Sequence, residues 1–214
     1  MDKVGITFYD IVGYTIPGFI GVMSLICFMS TLSEQPEPIL LFYKLNIIWQ
    51  IGLSYIFGHI IQTLVSLFYK NDYIKTLEKL KYDNTLLLNA KNNIAKQLKI
   101  KVDSLNHYEI LIAENNIISD IINNKLGIFR AFQGLYRGMA GALLICFFEA
   151  IALLISNKNY VITYENISYT VSRSTLFVSS ISFLFLLIIC LMRHASFVRS
   201  RLRAVVSFYA NKTA

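Results

Sequence analysis

GMAGALLICFFEAIALLIS, residues 138–156, is almost unbroken in its apolar character and carries one carboxylate, Glu149. Crossing the hydrocarbon core of a bilayer takes roughly 20 mostly apolar residues in a helix. The run meets that length. Lipid offers the backbone no hydrogen-bond partner, so the run is expected to be helical. Working outward, stretches 14–32, 46–68 and 174–192 answer the same description. Charged residues make up 15% of the chain, against roughly 25% in soluble domains, and hydrophobic residues 55%. The expected fold is all-α: a polytopic membrane protein with four transmembrane helices and a helical segment between spans two and three.

Residues 1–69 then hold an N-terminal interfacial helix (6–13) and spans one and two. Residues 70–133 form the helical segment, 134–192 hold spans three and four, and 193–214 form a basic tail. Pro17 is expected to kink the first span or to mark its true start. The opening Met1-Asp2-Lys3 is barely basic and no small-residue cleavage site follows, so the first span reads as retained.

Lys and Arg set the orientation. The 70–133 segment holds Lys70, Lys75, Lys79, Lys81, Lys91, Lys96, Lys99, Lys101, Lys125 and Arg130, with Arg137 just beyond it. The tail adds Arg193, Arg199, Arg201, Arg203 and Lys212. The first loop has only Lys44, and the last has Lys158 with Arg173 at its edge. Positive residues stay inside, which makes the middle segment and both termini cytoplasmic. The net charge of +7 suggests anionic headgroups first and nucleic acid second, with no reading of duplex DNA expected. Cys27, Cys146 and Cys190 all fall in apolar runs, so neither disulfides nor a zinc site is expected.

In the middle segment, apolar residues recur at Ile74, Leu77 and Leu80, at Leu87, Ile94 and Leu98, and at Ile110, Ile117, Ile118, Ile121 and Ile122. This spacing predicts helices. Asn106 with Glu109 resembles a helix start, and Lys125 with Gly127 a helix end. No phosphate loop, metal motif or catalytic triad stands out, so neither cofactor nor metal is expected and the chain does not read as an enzyme. His59, His107 and His194 fall at different predicted depths. A solute carrier would want an inverted repeat that is not visible.

Span two carries a polar ridge at four-residue spacing: Asn46, Gln50, Ser54, Gly58, Gln62 and Ser66, flanked by His59 and Thr63. It serves either interhelical hydrogen bonding or the lining of a wet path. Span three carries a small-residue ridge, Gly134, Gly138, Ala142, Cys146 and Ala150, suited to close helix packing within or between subunits. Glu149 must face protein or water. It reads either as a pore or gate group or as a neutral acid bonded to a neighbouring helix, with His59 a candidate partner. His59 alone reads more simply as a packed neutral histidine. Arg199, Arg201 and Arg203 read as a basic amphipathic helix contacting lipid or ligand phosphates.

Three short motifs bear a resemblance. FYDIVGYTIPGFIGV (8–22) resembles the "FYD-x-x-GY-x-x-PG" opening of a group of small bacterial membrane proteins. SYIFGHIIQTL (54–64) is similar to that group's "Y-x-x-GH-x-x-Q" second span. FRAFQGLYRGMAGALL (129–144) resembles its aromatic and arginine-rich approach to span three. Members act as membrane effectors of anti-phage defence. The Hailong-type effector, an oligomeric ion channel controlled by a nucleotidyltransferase product, is the nearest type. The resemblance implies a homo-oligomer, such as a tetramer, in the bacterial inner membrane. It implies a gated channel answering a nucleotide or oligonucleotide from a co-encoded nucleotidyltransferase. Gln50, Ser54, His59, Gln62 and Glu149 are then the pore or gate candidates. The alternative is a non-conducting anchor or scaffold that presents the cytoplasmic helices to a partner.

Overall fold

The structure, a computed structural model, describes residues 8–68, 84–119, 124–156, 158–164 and 167–211. Helices dominate: α1 Phe8–Ser33, α2 Glu37–Lys44, α3 Ile47–Phe68, α4 Asn84–Leu98, α5 His107–Ser119, α6 Asn124–Ile155 and α7 Arg173–Ala210. Four of them are long and apolar enough to cross a membrane, over Val12–Ser33, Ile47–Leu67, Gly127–Ile155 and Arg173–Ala210. The chain divides into two compact units, Met1–Phe68 with Gly134–His194, and Tyr69–Gln133 with Ala195–Ala214.

In the first unit α1 and α3 cross closely and run antiparallel. A Cβ on Gly18 would collide with the Ser54 carbonyl, and one on Gly58 with the Tyr14 carbonyl. Only glycine lets the two backbones meet there. α6 runs in the direction of α1. Gly138 meets Pro17, and further along both helices Glu149 meets Ser24. A first and a third helix of four that cross a membrane in turn would share this parallel sense. Ala140, Leu143 and Cys190 join α6 to α7, while Phe177, Ile181, Phe185, Ile188 and Met192 leave much of α7 exposed and apolar.

Helix ends follow local chemistry. The Asn46 side chain accepts the Ile48 N–H at 3.0 Å and opens α3. The Ser172 hydroxyl accepts from Thr175 at 3.2 Å and opens α7. α1 closes through Glu34 at φ 57°, with Gln35 N–H donating to Ser30 at 3.1 Å. This is a Schellman ending with a non-glycine residue in the left-handed position.

Several features differ from the sequence reading. The helix over Pro17 is continuous from Phe8, so within the described residues no separate interfacial helix precedes the first span; Ile6 lies outside them. The Lys125–Gly127 signal falls in the first turn of α6, not at a helix end. The basic tail is helical through Ala210, within the helix Arg173–Ala210. The first loop contains α2, whose buried Phe42 packs near Phe19 with ring centroids 6.2 Å apart.

The fold is also not purely α. Tyr160–Tyr164 (β1) and Ile167–Val171 (β2) pair as an antiparallel hairpin, with Tyr160 opposite Val171 and Ile162 opposite Tyr169. A lone hairpin is marginal in water. Tyr160 anchors this one: its ring is fully buried beside Leu153 and Leu176, and its hydroxyl lies 2.5 Å from Ser156 Oγ. Lys158 donates to Glu34 at 2.8 Å, which ties the hairpin to the end of α1 and holds the ammonium above the usual lysine range. The pair is exposed, so it adds little stability.

In the second unit α4, α5 and the end of α7 bury Ala90, Ile94, Ile110, Ala113, Ile117, Val198, Leu202, Val205, Val206 and Tyr209. Asn106 and Glu109 start α5 through a capping box: Asn106 N–H donates to Glu109 at 2.8 Å, and the Asn106 side chain accepts from Tyr108 at 2.7 Å. Ile74, Leu77, Leu80, Ile121, Ile122, the lysines of 69–83 and Lys212 lie outside the described residues.

Candidate functional site

A proline in a helix leaves the carbonyl four residues earlier without its donor. Pro17 does this to Gly13. Gln62, on α3 and 4% exposed, supplies the missing donor: its Nε2 donates to the Gly13 carbonyl at 2.8 Å. The same nitrogen donates to the Gly134 carbonyl at 3.1 Å, and Gln62 Oε1 accepts from Arg137 Nη2 at 2.9 Å. One amide therefore joins α1, α3 and α6. Gly138 makes room for it, since a Cβ there would stand 3.3 Å from Gln62 Nε2 and 2.8 Å from Pro17.

The rest of the span-two ridge is also committed within the chain. Gln50 Nε2 donates to the carbonyls of Phe42 and Leu45 at 3.1 and 3.0 Å and fixes the corner between α2 and α3. Ser54 is fully buried and donates to its own helix at Gln50, 2.7 Å away. Thr63 and Ser66 likewise bond back to His59 and Thr63 at 2.8 and 2.7 Å. Asn46 is the helix cap. In the small-residue ridge of span three, Gly138, Ala142, Cys146 and Ala150 are all buried within the chain. Gly134 lies beside Gln62. This ridge is a packing surface inside the chain.

Glu149 and His59 do not meet. The Ser24 hydroxyl donates to Glu149 Oε2, while the His59 ring stacks on Tyr14 at 3.7 Å and meets Tyr55 edge-on at 4.6 Å. Tyr14 and Ser24 are ten residues apart on α1, so the two sites stand about 15 Å apart along that helix. Glu149 is half-buried and lies six residues, about 9 Å, before the end of α6. Its neighbour Phe148 is exposed.

In the second unit, Arg201 is 4% exposed, not a surface contact for phosphate. Its Nε donates to Glu114 Oε1 at 2.8 Å, its Nη2 to Glu114 Oε2, and its Nη1 to Gln133. Glu114 and Gln133 are themselves buried. Glu114 lies four residues after Ile110 and three before Ile117, on the core face of α5, and that spacing is the sequence signal for its burial. Arg199 and Arg203 are exposed, and Arg199 Nε donates to the Ala195 carbonyl at 3.3 Å.

No protein-family model matches the chain, and neither does any curated protein or solved structure.

Proposed function

We propose that this chain is a multi-pass inner-membrane protein with cytoplasmic termini that assembles as a homo-oligomer. In this reading it conducts ions along a path that Glu149 lines where copies meet. Glu149 is the observation that carries it. Its carboxylate sits inside an apolar helix, bonded to one neutral serine and half-open to the outside of its unit. An intramembrane charge costs about 2.5–3.5 kcal/mol on insertion scales at the helix centre, less toward an end. Such a group wants water or another chain, and a path between copies supplies both. The span-two residues Gln50, Ser54 and Gln62 support the fold around the path. The setting, a defence effector gated by a nucleotide-type signal, is what the resemblance of the three motifs implies.

A second reading, a non-conducting scaffold, is favoured by the full commitment of that polar ridge to contacts within the chain. Membrane potential separates the two. Cells expressing the chain, with its neighbouring genes and under phage challenge, are read with a voltage-sensitive dye beside Glu149→Ala. Depolarisation that the variant loses supports conduction. A steady potential in both, with the protein present in the membrane, leaves the scaffold.

A further inference from the structure

We infer that Arg137, oriented by Gln62, is a phosphate-binding site at the edge of the hydrocarbon slab. It would be filled by the phosphate of an anionic phospholipid or by a free phosphate anion. A guanidinium is always charged and offers five N–H donors in a planar fork. Gln62 Oε1 takes one of the Nη2 protons at 2.9 Å. Gln62 cannot turn its amide round, because its nitrogen is committed to Gly13 and Gly134. The fork is therefore fixed in direction by a neutral partner. Nε is buried with no acceptor, while the side chain as a whole is only partly buried.

No anion balances this cation among the described residues, where the ion pairs are Lys158–Glu34 and Arg201–Glu114. Glu149 is twelve residues further along α6, about 18 Å away. A charge in such a helix needs a counter-group. The open end of an arginine fork matches two phosphate oxygens. The depth agrees. Arg137 precedes Ile155 by 18 residues, about 27 Å, close to the thickness of the hydrocarbon core. If Ile155 marks one face, Arg137 lies at the headgroups of the other. The inference rests on the membrane placement proposed above and is independent of conduction.

The test uses the full chain in mild detergent, titrated with dioleoylphosphatidylglycerol, with inorganic phosphate, and with a phosphate-free galactolipid of equal chain length. Melting temperature and phosphorus retained per chain are read. The native chain is expected to be stabilised by the phospholipid and not by the galactolipid. Arg137→Gln should need about tenfold more phospholipid for the same shift, as loss of a charge-assisted bond implies. Arg137→Lys, which keeps the charge and can still reach Gln62, should fall between, and it guards against a glutamine variant that fails to fold. Stabilisation by phospholipid alone assigns a lipid headgroup; an equal response to inorganic phosphate assigns a free anion. Equal responses to the galactolipid, or variants that match the native chain, overturn the site. Carbonate extraction of membranes reads the placement separately. Release of the chain would overturn the placement, whereas a retained chain without phosphate preference overturns only the site.

Discussion

Gln62 supplies to the Gly13 carbonyl the hydrogen bond that Pro17 removes. A gap in the hydrogen bonding of one continuous helix is thereby filled by a side chain from another, and the same residue also holds Arg137 and α6. Single interhelical hydrogen bonds in membranes average about 0.6 kcal/mol, but Gln62 makes three contacts, so Gln62→Leu should cost about 1–3 kcal/mol. Pro17→Ala restores the N–H that Gly13 lacks. In that background Gln62→Leu should cost about 1 kcal/mol less, a coupling that a double-mutant cycle of reversible unfolding in micelles would read. Strict additivity would mean that the proline and the glutamine act independently.

The crossing of α1 and α3 yields a sharper contrast among glycines. At Gly18 and Gly58 an added Cβ would overlap backbone atoms of the facing helix, which cannot move aside, whereas nothing lies within 4 Å of a Cβ on Gly52. Gly18→Ala and Gly58→Ala should each destabilise by about 3 kcal/mol or more, at the upper end for overpacking. Gly52→Ala should stabilise by about 0.5–1 kcal/mol, since alanine is the better helix former. The same unfolding assay ranks all three. An unharmed Gly58→Ala would mean that the close crossing is absent.

These contacts mark the limit of what the chain's letters reveal. The apolar spans are legible because length and hydropathy are properties of a single segment. The capping box of Asn106 and Glu109 is legible because its partners are three residues apart. Lys125 and Gly127 mislead because lysine and glycine also occur in the first turn of a helix, where glycine costs little. The hairpin is written in the β-branched and aromatic residues of YVITY and ISYTV, yet its short strands lie between two strong helices and resemble a loop. The choice of Ser24 over His59 as the partner of Glu149 depends on the register of α6 against α1. That register is set by Gly138 on Pro17 and has no signature in either segment alone.

Arg201 and Glu114 form a buried pair completed by Gln133. Removing one partner of such a pair strands a charge, whereas replacing both with apolar groups is often neutral. Glu114→Ala should therefore cost about 3–5 kcal/mol, and Glu114→Leu combined with Arg201→Met less than half of that. Hydrogen exchange at Ala113 and Ile117 in the full chain would report the loss. Arg199→Gln, at an exposed position, should change protection by less than about 0.5 kcal/mol. If Glu114→Ala leaves protection intact, the pair does not hold this unit together.

Glu149 and Ser24 allow charge to be separated from shape. Glu149→Gln keeps the size of the side chain and can still accept from Ser24, so the variant should fold and extract like the native chain. Ser24→Ala removes only the donor and should cost about 1 kcal/mol of stability. If the carboxylate lines a cation path, Glu149→Gln should lower flux into liposomes by about tenfold, because it removes the charge that draws cations in. Ser24→Ala should leave most of the flux. The reverse pattern, with flux lost in Ser24→Ala and kept in Glu149→Gln, would make the pair a helix contact and take the charge off the path.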